Sequence, residues 1–207
     1  MDKQHEAILA MLDEAMTILR DGKSFNPESG IFGVVKSTDE GPENTGRVYR
    51  YENDTMPPSK LVMTTEADPL NYFEDRSKVA VVPSQLLLRF YKPVRGFTWT
   101  EIQRRLDLAD YWVDTGGNRQ EGNCFPASPP NDWITICRYR ANEHIDSRFP
   151  VNVELGFFGP TKEGMYDLDR VKIRRAYPYL TPEMRKQKRE EKALRIRESG
   201  YTGVIDD

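Results

Sequence analysis

The chain has little of the chemistry from which the commonest catalytic and metal sites are built. Its 207 residues include only two histidines and two cysteines. No pair among His5, His144, Cys124 and Cys137 has the spacing of zinc ligands. The phosphate-binding signature GxxxxGK[ST] and the dinucleotide pattern are missing as well. We therefore expect no metal and no cofactor.

Long apolar runs are also missing. The longest, Val79–Val82 and Leu86–Leu88, fall far short of the about 18 residues that a membrane-spanning helix needs. Residues 1–6 are acidic from Asp2 onward and lack the basic and apolar regions of a secretory signal. The sequence thus predicts no contact with a membrane and a cytoplasmic location. In that compartment we expect Cys124 and Cys137 to be unpaired thiols.

The apolar residues that are present predict three helices. Residues 2–21 carry apolar side chains at helical spacing and end before Gly22. Thr98 and Glu101 match a capping box and open a short second helix. Thr181, Pro182 and Glu183 are the signals of a third helix, long and polar, that ends near Ser199.

Strand patterns fill most of the remaining sequence. Because they are grouped rather than alternating regularly with helices, we predict an α+β fold with a mainly antiparallel sheet, an N-terminal amphipathic helix, one short internal helix and a long polar C-terminal helix. Residues 1–180 form a single domain in this interpretation, and residues 181–207 form a helical arm with an acidic tail. Pro83 is expected to end or kink a strand. The strand predictions cover 31–35, 47–51, 61–65, 78–82, 86–91, 110–113, 133–140, 151–158 and 170–174, and residues 114–131 are interpreted as one long loop.

Charge is distributed unevenly along the chain. Residues 170–197 hold eleven Lys or Arg against three Glu, whereas residues 1–169 have a net charge of −8. A basic segment of this size can dock on an acidic protein, contact a nucleic acid or remain solvated. The candidate partner-binding residues are Arg170, Lys172, Arg174, Arg185, Lys188, Arg189, Lys192 and Arg195.

A short motif supports an alternative in which the protein is an enzyme. Asp114-Thr115-Gly116 follows an apolar strand and resembles the Asp-Thr-Gly signature of aspartic proteases, in which two carboxylates share a proton to activate water. The resemblance covers about four residues and departs from the family pattern at Gly117. With only one triplet in the chain, it implies a homodimer. The other interpretation is a strand that ends in a Gly-Gly turn, where Asp114 and Asn118 supply local hydrogen bonds.

A second enzyme hypothesis places a thiol nucleophile at Cys124, with His144 as its base and Asp146 or Asp114 as the orienting acid. Nothing in the spacing of these residues fixes them near one another. The interpretation that the sequence favours is a non-catalytic protein-binding module, either a subunit of a larger assembly or a small inhibitor or immunity-like protein. Its expected partner is another protein, for which an acidic surface would suit the basic segment, and self-association into a homo-oligomer is left open. The alternatives are an enzyme site near Asp114 or Cys124, and nucleic-acid binding by residues 170–197.

Overall fold

A computed structural model describes residues 3–41, 45–68, 80–114, 116–127, 133–159 and 166–176, together with six separate positions between 187 and 198. Within these residues the chain forms two helices and ten strands. In chain order they are α1 (Lys3–Leu19), β1 (Val34–Glu40), β2 (Arg47–Glu52), β3 (Ser59–Ala67), β4 (Val81–Val94), α2 (Trp99–Arg105), β5 (Tyr111–Val113), β6 (Arg119–Glu121), β7 (Cys124–Pro126), β8 (Ile134–Arg140), β9 (Val151–Phe158) and β10 (Asp167–Arg175).

Eight of the strands form one antiparallel sheet in the order β1-β2-β3-β4-β10-β9-β8-β7. Strands β1 to β4 are neighbours in sequence as well as in space, and so are β7 to β10. The two groups join where β10 pairs with β4. Strands β5 and β6 form a separate two-stranded ribbon.

Helix α1 packs on one face of this sheet and makes the core with it. Its apolar side chains are buried against β4 and β10, because successive strand residues point to opposite faces and one set points at the helix. We call this side of the sheet the core face. Its fully buried members include Leu61, Met63, Leu86, Leu88, Leu155, Val171 and Ile173.

Several predictions from the sequence are confirmed. The expected helix at residues 2–21 is α1, and its buried residues are those at helical spacing, with Ile18 added. Thr98 caps α2, since its hydroxyl accepts a hydrogen bond from the Glu101 amide at 3.1 Å. The alternation in residues 170–174 is also real, because Val171 and Ile173 are buried while Arg174 is exposed.

The predicted fold class is wrong. The described chain is mostly antiparallel sheet with two helices, and the long polar C-terminal helix is not among its elements. Of residues 181–199, the structure describes only six separate positions, so most of that prediction lies outside the described residues. The proposed domain boundary at residue 180 lies outside them as well. None of the described helices is long and apolar enough to cross a membrane.

Pro83 does not end a strand, but the other expectation, a kink at a sheet edge, has a counterpart in the irregular register beside it. It lies within β4, opposite Thr65 of β3 and next to a break in register. The pairing of β4 with β10 starts only at Gln85, so among the described residues Pro83 has a paired strand on one side alone. A proline, which lacks an amide hydrogen, is tolerated at such an edge-like position.

The prediction of one long loop at residues 114–131 is also wrong in part, because strands β6 and β7 lie within that range. Cys124 in β7 lies directly opposite Cys137 in β8, with 4.0 Å between their Cα atoms, and the two form a disulfide. The expectation of two unpaired thiols is therefore wrong. The disulfide fastens the short outer strand β7 to the sheet.

Candidate functional site

The face of the sheet that points away from α1 is lined with cations. Arg170, Lys172 and Arg174 of β10 alternate with the buried Val171 and Ile173, so they point away from the core. Strand pairing adds side chains from distant parts of the sequence on the same side. The cationic face, as we call it, comprises Arg50, Lys60, Arg89, Arg138, Arg170, Lys172 and Arg174.

Three of these cations lie in one row across three strands. Lys60 of β3 is directly opposite Arg89 of β4, and Arg89 is directly opposite Arg170 of β10. Directly opposed side chains are close neighbours, and like charges at such positions destabilise a sheet. The row is therefore a feature that folding alone does not account for.

Carboxylates balance only part of this charge. The Glu154 carboxylate accepts a hydrogen bond from Arg138 Nε at 3.1 Å and lies 3.5 Å from Arg170 Nη2. Asp39 pairs with Arg50 at 2.9 Å. Within the part of the chain that the structure describes, no ion pair is made by Lys60, Arg89, Lys172 or Arg174. These four charges give the face a positive potential that is available to a partner.

The β5–β6 ribbon covers one end of the cationic face. Asn152 of β9 ties it down, since its Nδ2 donates a hydrogen bond to the Val113 carbonyl at 3.3 Å. Arg138 lies 5.1 Å from the centre of the Trp112 ring and 4.8 Å from that of Phe125. Arg140 is only 3% exposed, and burial lowers the pKa of its guanidinium.

A half-open cleft of about 270 Å³ lies between this ribbon and strands β8 to β10. Trp112 and Asp114 line it from the ribbon. Two buried polar atoms of its lining residues, Trp112 Nε1 and Asn152 Oδ1, have no hydrogen-bond partner among the described residues. The sheet contributes Arg138, Asn152, Glu154, Lys172 and Arg174 to the lining.

Asp114 holds a turn. Its carboxylate accepts hydrogen bonds from the Asn118 amide at 2.8 Å and from Gln120 Nε2 at 2.9 Å. The bond from the Asn118 backbone is the main reason why the pKa of Asp114 lies below its ordinary value of 3.8. This geometry matches the turn interpretation of the sequence, while Thr115 lies outside the described residues. An ionised carboxylate occupied in this way is a poor proton carrier.

The residues of the thiol hypothesis do not form a catalytic group. Cys124 is bonded to Cys137, so it has no thiolate to act as a nucleophile. The ring of His144 lies instead 3.2 Å from an oxygen of Asp107. No group of three or more potential metal ligands occurs among the described residues.

The structure places three of the predicted partner-binding residues, Arg170, Lys172 and Arg174, together on the cationic face. The other five, Arg185, Lys188, Arg189, Lys192 and Arg195, lie outside the described residues. Sequence reasoning missed Lys60 and Arg89. Each adjoins a continuous apolar run without alternation, Leu61-Val62-Met63 or Leu86-Leu87-Leu88, and only the register of the sheet brings them next to Arg170.

In comparisons with known proteins, no family model, no curated protein and no solved structure matches this chain.

Proposed function

We propose that this protein is a non-catalytic protein-binding module, acting as a subunit of a larger assembly or as a small inhibitor or immunity-like protein, and that its cationic face docks an acidic partner. The observation that carries the proposal is the row of Lys60, Arg89 and Arg170, three like charges opposite one another. Holding them together costs free energy in the isolated fold, and carboxylates of a partner would offset that cost.

The surroundings of the row favour a protein partner. In the next row, Leu87 of β4 lies between Val62 of β3 and Lys172 of β10, so the face combines apolar surface with charge. Protein interfaces have this composition, with an apolar centre and a polar rim. Trp112 and Phe125 both pack on Arg138. Tyr91, two residues after Arg89 in β4 and 73% exposed, adds an aromatic ring of the kind that interface hot spots contain.

The enzyme alternatives have less support. Asp114 is occupied by the turn that it holds, and Cys124 is in a disulfide. The cationic face needs no such chemistry to act, because charge complementarity and shape are enough to dock a partner.

A binding assay with a defined acidic polymer tests the proposal. We expect fluorescein-labelled poly-L-glutamate to bind the protein, and to bind at least about tenfold more weakly when salt is raised from about 50 to about 200 mM, as expected for an interaction driven by charge. The double variant Lys60→Gln/Arg89→Gln should lose most of the binding. Fluorescence anisotropy measures the dissociation constants.

The control is the double variant Lys3→Gln/Arg104→Gln, which changes the net charge equally on the other side of the molecule. Lys3 and Arg104 are exposed on α1 and α2. If both double variants weaken binding equally, net charge alone is responsible and the proposal fails. If a labelled single-stranded oligonucleotide of equal charge binds much more tightly through Lys60 and Arg89, the partner is a nucleic acid and the proposal is equally overturned.

The cytoplasmic location remains part of the proposal, and the Cys124–Cys137 disulfide provides its test. Disulfides rarely persist in the cytoplasm, where thiols are kept reduced. Alkylation of intact cells followed by mass analysis should find both cysteines reduced if the protein resides there. An oxidised pair would place the protein in an oxidising compartment instead.

A further inference from the structure

A second half-open cavity, of about 460 Å³, lies where the turn from β4 into α2 meets the start of β10. Cavities of this size are typical of sites that bind small molecules. We call it the aromatic pocket, because its lining includes the rings of Phe97, Trp99 and Tyr166, together with the charged side chains of Arg95 and Asp167. Its described lining residues are all different from those of the cationic face.

The apolar wall of the aromatic pocket is held in place by packing. Phe97 is only 2% exposed and stacks on the His5 ring, with 3.8 Å between the ring centres. The Trp99 ring lies 5.1 Å from that of Tyr166 and meets Phe157 edge-on at 5.9 Å. Trp99 and Tyr166 are nevertheless only partly buried, so they leave apolar surface within the pocket. An apolar ligand can pack against this wall with little rearrangement of the protein.

The carboxylate of Asp167 is sheltered in the pocket, yet its charge is weakly satisfied. Its side chain is 17% exposed, and its ion-pair partner is Arg95, whose Nε lies 3.8 Å from Oδ2. That distance exceeds the roughly 3.2 Å at which an N–H···O hydrogen bond forms. No closer polar contact to this carboxylate exists among the described residues. Because the Arg95 side chain is 79% exposed, water screens the pair, and a cation that donates a hydrogen bond can replace it.

The placement of the two charges favours a cationic ligand over an anionic one. An anion would be attracted by Arg95, which is solvated, and repelled by Asp167, which is sheltered. A cation meets the reverse arrangement. The faces of aromatic rings attract cations as well.

We propose that the aromatic pocket binds a small organic amine, with the ammonium group on the Asp167 carboxylate in place of Arg95 and the apolar body against Phe97, Trp99 and Tyr166. A charge-assisted hydrogen bond at a sheltered carboxylate is stronger than the solvated ion pair that it replaces. This site goes beyond the proposed function, because it is built from other residues than the cationic face and takes a small ligand of the opposite charge.

Three ligands of similar shape and different charge test the proposal. At neutral pH phenethylamine is a cation, phenethyl alcohol is neutral and hydrocinnamate is an anion. We expect phenethylamine to bind at least about tenfold more tightly than the alcohol, because the amine alone adds a charge-assisted hydrogen bond to Asp167. Hydrocinnamate should bind most weakly of the three. Isothermal titration calorimetry at about 50 mM salt, where screening is modest, measures the dissociation constants.

Two variants with effects of opposite sign locate the amine. Asp167→Asn removes the charge that the ammonium group needs, so phenethylamine should then bind no more tightly than the alcohol. Arg95→Gln removes the competing cation, so it should strengthen phenethylamine binding about threefold and leave alcohol binding unchanged. The matched control is Glu121→Gln, because Glu121 is likewise paired with an arginine, Arg119 at 2.7 Å, but lies on the β5–β6 ribbon. It should change none of the three affinities, and thermal unfolding of each variant shows that it is folded.

Each contrary result overturns the inference. If the alcohol binds the unmodified protein as tightly as the amine, the pocket does not select a cation. If hydrocinnamate binds most tightly and Arg95→Gln abolishes its binding, the pocket is an anion site. If folded Asp167→Asn keeps the preference for the amine, the ammonium group is bound elsewhere. If none of the three ligands binds with a dissociation constant below about 10 mM, the pocket is not a site for such molecules. The poly-L-glutamate assay is independent of these results, because it reports on the cationic face.

Discussion

The two faces of the main sheet are built from the same strands, yet their side chains differ in burial and in charge. In β4, Leu88 is fully buried against the core while its neighbour Leu87 is only half-buried on the cationic face. In β10, Arg175 is buried and Arg174 is exposed. The core face is apolar apart from a few buried polar groups such as Arg175. The cationic face contains opposed like charges, which cost free energy in the isolated fold.

The comparison predicts its largest difference in stability between variants of the two leucines of β4, Leu87 and Leu88. Leu88→Ala should lower the free energy of unfolding by about 3 kcal/mol, because it leaves a cavity among fully buried neighbours. Leu87→Ala should cost less than about 1 kcal/mol, since its site can relax toward solvent. Urea denaturation of both variants measures the difference. Equal losses of stability in the two variants would mean that the cationic face is as closely packed around Leu87 as the core face is around Leu88.

A smaller effect is expected from the two arginines of β10. Arg175 Nε donates a hydrogen bond to the Leu19 carbonyl at 2.9 Å and Nη2 donates to the Ile18 carbonyl at 3.2 Å. These carbonyls belong to the last turn of α1 and have no partner within the helix. The guanidinium also lies 3.4 Å from the centre of the Phe149 ring. Burial lowers the pKa of Arg175 to about 10, so it remains charged at neutral pH.

Arg175→Met should therefore destabilise the fold by about 2 kcal/mol, because two carbonyls lose a charged donor. Arg174→Met is the matched control and should change stability by no more than about 0.5 kcal/mol while it weakens binding to poly-L-glutamate. Chemical denaturation and the anisotropy assay give the two quantities. A stable Arg175→Met protein would show that the end of α1 is held by packing alone.

The core face was largely predictable from the sequence because its signals are local. The helical spacing of apolar residues in α1 and the strict alternation around Val171 each depend on a few neighbouring residues. Strands β6 and β7 were missed because Arg119-Gln120-Glu121 is fully polar and β7 contains Pro126. What holds these strands is non-local: the pairing with β5 and β8 and the disulfide from Cys124.

The site was predictable only in part, for the same physical reason. Alternation alone places Arg170, Lys172 and Arg174 on one side of a strand. The neighbours Lys60 and Arg89 are set by the register of strands far apart in sequence, which one sequence does not reveal. Buried Arg140 and Arg175 could not be anticipated either, because charged residues are almost always interpreted as surface.

The smallest predicted effect is a local response to pH in the turn at Asp114, beside the cleft. Its hydrogen bonds with Asn118 lower the pKa of the carboxyl below 3.8 in the folded protein. A depressed pKa means that the carboxylate stabilises the turn above the ordinary value, and that this contribution is lost as the pH falls through the folded-state pKa. The Asp114 carboxyl is only partly buried, so we expect a local change rather than unfolding.

In an NMR titration from about pH 6 to about pH 2, a range chosen to span carboxyl titration, the Asn118 amide resonance should move with a midpoint below 3.8. In Asp114→Asn the same resonance should not titrate, because the side chain keeps an acceptor but loses its proton equilibrium. The amide of Leu88, on the core face, serves as the internal reference and should stay fixed in both proteins. A midpoint at or above 3.8 would show that the hydrogen bonds of the turn do not stabilise the Asp114 carboxylate. Asp114 would then be able to exchange a proton with a ligand in the cleft.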